Sequence, residues 1–400
     1  MPSSPEWPGR RPAPVLIWSV TLTGITANTM VAPVLPDIID AFGQPDSSAG
    51  LLVASASVPG VLAAPVIGVL ADRVGRKRVL VACLGLFGVT GLVTALAPTF
   101  ATLIAARLLM GVGTAGLINL AVVLIGDHYE GSDRVREVGR NAAVLTSGLA
   151  LLPLASGVLE TVGSWRLSLA PSALGIVTAV VAWRSLDDVR PPGDQPSLRE
   201  QLAGARRVLR SPAIRATIGS GFLIFVMVFG LFLTTLPVHL DEEFGLSAAY
   251  RGLLLGIPSI SSTLIALNLS RIRERLGLRP LLVAGGAAFG IALVGIGLAP
   301  TLLAVVVGLV VYGAGEGAMV PSLQETTAAR AGASQRGVVL ATWVAAVRLG
   351  QATGPLLFAS LFASIGTGAT LVVGASVALA VVAIHALSPI GDEQPAPAGP

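Results

Sequence analysis

The residues of this chain with chemistry to do are polar groups set in apolar surroundings. Glu316 lies in Gly313-Ala-Gly-Glu-Gly317, and Arg348 and Arg107 lie in similar apolar stretches. Asn28 and Asp37 flank Ala32-Pro33-Val-Leu-Pro36. A carboxyl in hydrocarbon is stripped of water, which favours its neutral form and lets it take and release a proton near neutrality. A guanidinium there is costly and must face a partner, a cavity or the interface. Glu316 lies about 22 Å from the start of its apolar run at 1.5 Å per residue, a depth it could share with Arg348. Two readings stand. A free Glu316 carries protons or binds a substrate; a Glu316 paired permanently with Arg348 is structural. Arg107 either works in the interior or snorkels, being about one and a half turns from the end of its run. Asn28 either glues helices together or lines a cavity. Asp37, near a helix end, reads as a solvated terminus, with a proton site as the alternative.

These groups need long helices to place them. Of the 400 residues, 53% are hydrophobic and 12% charged, and the mean hydropathy is +0.81. Uncharged runs near the ~20 residues that cross a bilayer recur along the chain. They predict twelve spans, at about 15–37, 50–71, 79–97, 102–125, 139–161, 166–184, 215–237, 249–269, 281–299, 302–324, 338–362 and 368–388. The net charge is +4, and with the N-terminus inside, most of the 26 basic residues fall on inner loops. That asymmetry predicts two cytoplasmic termini in a bacterial-type inner membrane, and no nucleic-acid partner. Cys83 is the one cysteine, and the three histidines are far apart, so neither a disulfide framework nor a metal site is expected. No nucleotide fingerprint, catalytic triad or large soluble segment appears, which argues against an enzyme and against ATP hydrolysis. No cofactor is expected. The N-terminal residues lack the regions of a signal peptide.

The chain repeats itself. Shifted by 202 residues, Phe42-Gly43 falls on Phe244-Gly245, and Asp72-Arg73-Val-Gly75 on Glu274-Arg275-Leu-Gly277. At the same offset Leu96-Ala-Pro-Thr99 falls on Leu298-Ala-Pro-Thr301, Gly111-x-Gly113 on Gly313-x-Gly315, Ser132 and Arg134 on Ser334 and Arg336, and Gly148 and Pro153 on Gly350 and Pro355. The expected organisation is a tail at 1–14, a six-helix half at 15–186, a linker at 187–213, a second half at 214–388 and a tail at 389–400. The linker is Pro-rich and then basic, which reads as an amphipathic helix on an anionic leaflet. The tail after Ser388 reads as disordered. In a membrane protein of two such halves, the substrate site is expected at their interface, near mid-membrane.

Between spans 2 and 3 runs Gly68-Val-Leu-Ala-Asp72-Arg73-Val-Gly75-Arg76-Lys77-Arg78. Gly68 lets a neighbouring helix come close, Gly75 suits a tight turn, and the cations hold the loop inside. Asp72 meets the unfavourable end of its helix dipole, so it needs a partner, either a nearby arginine or another helix's N-terminus. A plain positive-inside loop accounts for the arginines but not for Gly68 and Asp72. This stretch resembles the loop 2–3 signature of the major facilitator superfamily, and the two prolines after Asn28 resemble that family's P-x-x-P at the end of span 1. The resemblance implies an all-α membrane fold of twelve helices in two pseudo-symmetric halves, with loop 2–3 as a gating element. The second loop carries Ser270 in place of Gly68, so the halves differ.

Arg107-Leu-Leu-Met-Gly111-Val-Gly113 is similar to the family's span 4 pattern, with Met110 in place of the usual glutamine; in proton-coupled members that arginine is tied to proton transfer. Span 5 resembles the drug-antiporter signature, keeping Gly139, Gly148, Pro153 and Gly157 but carrying Leu152 and Ser156 where that signature has glycine. Such a glycine line would pack against a span of the other half and limit leak. Span 11 carries Gly350, Gly354 and Pro355 in a related pattern. Phe222, Phe225, Phe229 and Phe232, at helical spacing on span 7, serve as packing or as a cavity wall. The resemblance implies a monomeric secondary transporter, similar to the drug:proton antiporters, exporting a small apolar or cationic compound. A proton-linked importer of an organic acid or sugar, with Arg107 and Arg348 holding an anionic group, is the first alternative. A non-transporting sensor or enzyme is the remote one.

Overall fold

The structure is a computed structural model, and it describes residues 11–188, 198–330 and 336–387. The Pro-rich part of the linker, Ser334 of the repeat and the tail after Ser388 lie outside the described residues. Every element among the described residues is helical. Twelve helices are long and apolar enough to cross a membrane: α1 (Pro14–Ala41), α2 (Ser48–Val74), α3 (Arg76–Ala95), α4 (Phe100–His128), α5 (Gly131–Val162), α6 (Trp165–Ser185), α7 (Pro212–Phe244), α8 (Ala248–Leu267), α9 (Leu278–Gly297), α10 (Leu302–Ala329), α11 (Gly337–Ile365) and α12 (Thr367–Leu387). Several outrun their apolar stretch. α5 starts at Gly131 rather than 139, because a helix continues into polar sequence where its charged side chains can reach water.

The repeat is visible in the backbone. Gly43 and Gly245 both take φ 59°, and Gly75 and Gly277 take 112° and 81°, conformations that favour glycine. Thr99 and Thr301 both cap the helix that follows, accepting from the backbone N–H of Thr102 and Ala304. Each half has its own apolar core, one around Leu80, Leu84, Phe87 and Leu124, the other around Leu282, Phe289, Leu309 and Met319.

A third cluster joins the halves. It holds Leu35, Ile38, Leu52 and Trp165 of the first half with Val238, Ala248, Ala359 and Phe362 of the second. These residues lie where α1 ends and α8 begins, so this end, here the opposite face, is closed. The end with the α2–α3 loop is here the basic face. On it, the linker helix Leu198–Val208 packs against α11, where Gly204 meets Val338.

Three spans are broken near mid-length. α1 breaks after Thr29, before the 3-10 turn Ala32–Val34 that holds Pro33. α4 breaks at Ala115-Gly116, between helical segments ending at Thr114 and starting at Leu117. α7 widens into a π-helix over Val228–Thr235. Such breaks offer carbonyl groups to side chains, and two of them receive donors from the residues described next.

Candidate functional site

Arg107 does not snorkel. Its side chain is buried, turned into the space between α1, α2 and α4. Nε donates to the Leu52 carbonyl at 2.7 Å and to Ser55 Oγ at 3.3 Å. One terminal nitrogen donates to the Ala27 carbonyl at 3.1 Å and the other to Asn28 Oδ1 at 2.8 Å. Asn28 in turn donates to Ser57 Oγ at 3.2 Å, so it both binds Arg107 and bridges to α2. The planar fork thereby fastens three helices together, and no carboxylate among the described residues neutralises it. Gly111 lets α4 approach α2, and Gly113 lets it approach α3. A side chain on Gly111 would put its Cβ 2.6 Å from the Ala56 carbonyl oxygen, and one on Gly113 2.8 Å from the Phe87 nitrogen.

Glu316 stands apart from both arginines. Its neighbours Gly313 and Gly317 press on α8 and Gly315 on α9, closely enough that an added Cβ would lie 2.2, 2.3 and 2.8 Å from the nearest atoms. This seats α10 with Glu316 on the side it shares with Tyr312, one turn away. Tyr312 stacks on Phe232 of α7 at 5.2 Å and meets Phe289 of α9 edge-on at 4.7 Å. Glu316 is half-buried and, among the described residues, makes no ion pair or hydrogen bond. Its pairing with Arg348, open from sequence, is absent here. Arg348 instead crosses between the halves, donating to the Ala115 carbonyl at the break in α4 at 2.7 Å and lying over Gly60 of α2. The four phenylalanines of α7 are half-buried and pack against the second core.

The halves touch along two seams, α5 on α8 and α2 on α11. On α5, Gly157 faces α8: an added Cβ would sit 2.1 Å from the Ala248 carbonyl oxygen. From α8, Gly252 and Gly256 press back on the carbonyls of Pro153 and Ala150, at 2.2 and 2.5 Å for the same added atom. Gly148 faces Leu22 and Ile25 of α1 in its own half, and Gly139 faces open space. Ser156, one of the two departures from glycine, donates to the Met30 carbonyl at the break in α1. Gly350 and Gly354 pack on α7, within the second half, while the Pro355 carbonyl lies against Gly50 of α2. Toward the basic face α5 and α8 part, leaving a cleft of about 560 Å³ between Gly139–Ala150 and Ser259–Leu267. On the other seam Gly50 is in contact, and Gly68 meets only open space.

Asp37 is not a solvated terminus. It pairs with Arg251 of α8 across the closed end, and Arg251 also holds Asp241 of α7 at 2.6 Å. Sequence reading missed this trio, because Arg251 and Asp241 look like ordinary charges at helix ends until the repeat is folded and α1, α7 and α8 converge.

In the α2–α3 loop Asp72 finds its partner locally, 3.4 Å from Arg76, and Arg76 also reaches Asp127 at the end of α4, 2.5 Å away. Lys77 lies over the Trp183 ring at 4.9 Å, and Arg78 pairs with Asp188 at 2.5 Å. Arg73 makes no ion pair among the described residues. In the second loop Arg273 pairs with Glu325 at 2.8 Å, while Glu274 and Arg275 make no ion pair among the described residues.

Twelve helices long and apolar enough to cross a membrane, in two matching halves closed at one face and parted at the other, have the build of a membrane transporter. The family profile described as Major Facilitator Superfamily matches residues 17–249 and 218–399, and the chain belongs to that superfamily. It is 28% identical over 366 residues to the bacillibactin exporter of Bacillus subtilis (strain 168), covering 88% of this chain and 90% of that protein. It is 27% identical over 383 residues to the class C tetracycline resistance protein of Escherichia coli, covering 93% and 95%. The fold matches a bacterial homologue of the human lysosomal transporter Spinster in an inward-facing, occupied conformation, with TM-score 0.78 and 17% identity over 94% of this chain and 95% of that one.

Proposed function

We propose that the protein exports a small apolar or cationic compound from the cytoplasm in exchange for protons, working as a monomer in a bacterial inner membrane with both termini inside. The observation that carries the reading is Glu316. A half-buried carboxyl without an ionic partner among the described residues, seated by a collar of glycines, is free to bind either a proton or a cationic substrate. Relatives named for export and for tetracycline resistance support the outward direction. Arg107 has its donors on protein acceptors, which favours a role in holding the first half together over the binding of an anionic substrate. In this reading the basic face is cytoplasmic, and the structure is the state that loads substrate.

The test uses everted vesicles energised to an acidic interior and a panel of cationic and neutral drugs. Ligand-induced proton efflux is expected for the natural protein and is expected to disappear in Glu316→Gln. Efflux that persists in the variant would move the coupling elsewhere. No efflux for any compound would favour import.

Asp72 carries a second expectation. Asp72→Asn loses the pair with Arg76, but Arg76 keeps Asp127, so folding and insertion are expected to survive. Transport is expected to fall at least tenfold, because an amide cannot serve as the charged partner that the arginine of the gating loop engages. Normal flux in vesicles with equal protein content would refute the gating role.

A further inference from the structure

We propose that Arg251 is the latch that closes the opposite face, with Asp37 as the group it catches and Asp241 as the group that holds it ready. Its guanidinium is 1% exposed, yet each arm takes a carboxylate from a different half. Asp241 is on α7 and Arg251 on α8, so this arm stays in place whatever the halves do. Asp37 is on α1, in the first turn of the segment Leu35–Ala41, so that arm is made and broken each time the halves meet and part. The neighbouring glycine interlock forces the meeting: Arg251 adjoins Gly252, which lies on the Pro153 carbonyl.

The surroundings make the arginine decisive. Glu160 lies within electrostatic range of Asp37, and Asp40 and Asp46 within range of Asp241. Closing this face therefore gathers acids from both halves around one buried guanidinium. Removing that cation leaves like charges facing each other in a partly desolvated seam, whereas removing Asp37 deletes one arm and one acid together. The two losses differ in sign for the remaining charges. Arg251→Gln is expected to open this face more than Asp37→Asn does, and the double variant is expected to be milder than Arg251→Gln alone.

The test needs no substrate, so it is independent of the export reading. Cys83 is buried, which leaves a low background for thiol labelling. Ser147→Cys places a reporter in the cleft that is open at the basic face. In membranes, Arg251→Gln is expected to slow maleimide labelling of that reporter roughly tenfold, as the balance shifts toward molecules closed at the basic face. Asp37→Asn is expected to slow it by less, and adding Asp37→Asn to Arg251→Gln to restore part of the rate. Asp241→Asn, which frees the arm without removing the Asp37 pair, is expected to fall between the natural protein and Arg251→Gln. Arg251→Lys, which keeps the charge but not the fork, is the variant to read if Arg251→Gln fails to insert; it is expected to slow labelling as well. Unchanged labelling in all of these, or losses that simply add in the double variant, would overturn the latch.

Discussion

Arg107→Met is expected to reduce transport at least a hundredfold while leaving insertion intact. The natural side chain is a fork with acceptors on two sides, the Leu52 carbonyl and Ser55 on α2, and the Ala27 carbonyl and Asn28 on α1. A methionine of similar length fills part of the volume and satisfies none of them. Each buried acceptor left without a donor costs about 1–3 kcal/mol, and three such losses amount to a hundredfold or more. The cost falls on the positions of α1 and α2 relative to α4, because each helix keeps its own backbone ladder. Asn28, released from Arg107, is then free to turn. Arg107→Lys is expected to fail nearly as badly, since one ammonium cannot spread over acceptors fixed by a planar fork. Initial rates in proteoliposomes, normalised to folded protein, provide the check. Half of the natural rate in either variant would show that the carbonyl hub is packing alone.

Gly252→Val is expected to reduce transport roughly ten- to a hundredfold, by a different route. A Cβ on Gly252 would lie 2.2 Å from the Pro153 carbonyl oxygen, far inside van der Waals contact with a backbone group that has no rotamer to move. The opposite face then fails to close over the α5–α8 seam. Overpacking a tight contact costs about 1–3 kcal/mol, which shifts the balance between the two faces by roughly ten- to a hundredfold. Net transport is expected to fall in proportion, and labelling of the Ser147→Cys reporter is expected to slow. Gly354→Val is the control. Gly354 packs on Val226 within one half, so its valine is expected to lower thermal stability in detergent instead. Equal loss of stability in the two variants, with no change of labelling in Gly252→Val, would show that the seam does not move.

Much of this architecture is legible in the chain itself. Twelve continuous apolar runs of about 20 residues in a lipid solvent form helices, because a spanning helix satisfies its backbone polar groups within its own segment, whereas barrel strands are about 9–11 residues and alternate apolar with polar positions. The 202-residue repeat, read from Phe42 and Phe244, foretells paired turns, and Gly43 and Gly245 take the same φ of 59°. The need of Asp72 for a partner is likewise a local matter of helix dipole, and an arginine four residues on supplies it.

What the chain leaves open is which faces meet. Arg107 is equally consistent with snorkelling, since its depth is set by helix position but its direction by the carbonyls of α1 and α2. Glu316 and Arg348 could share a depth, yet Gly313, Gly315 and Gly317 turn one toward the Tyr312 side while Arg348 finds the α4 break. The span 5 glycines read as one line, but they divide in space: Gly157 faces α8, Gly148 faces α1 and Gly139 faces the cleft. Their partners Gly252 and Gly256 carry no signature of their own. Arg251 shows the limit most plainly, because its two acids lie 214 residues away on α1 and 10 away on α7. Helix formation depends on neighbours within a few residues and is written locally. An ion pair between halves depends on how rigid helices rotate and cross, which only the packed bundle decides.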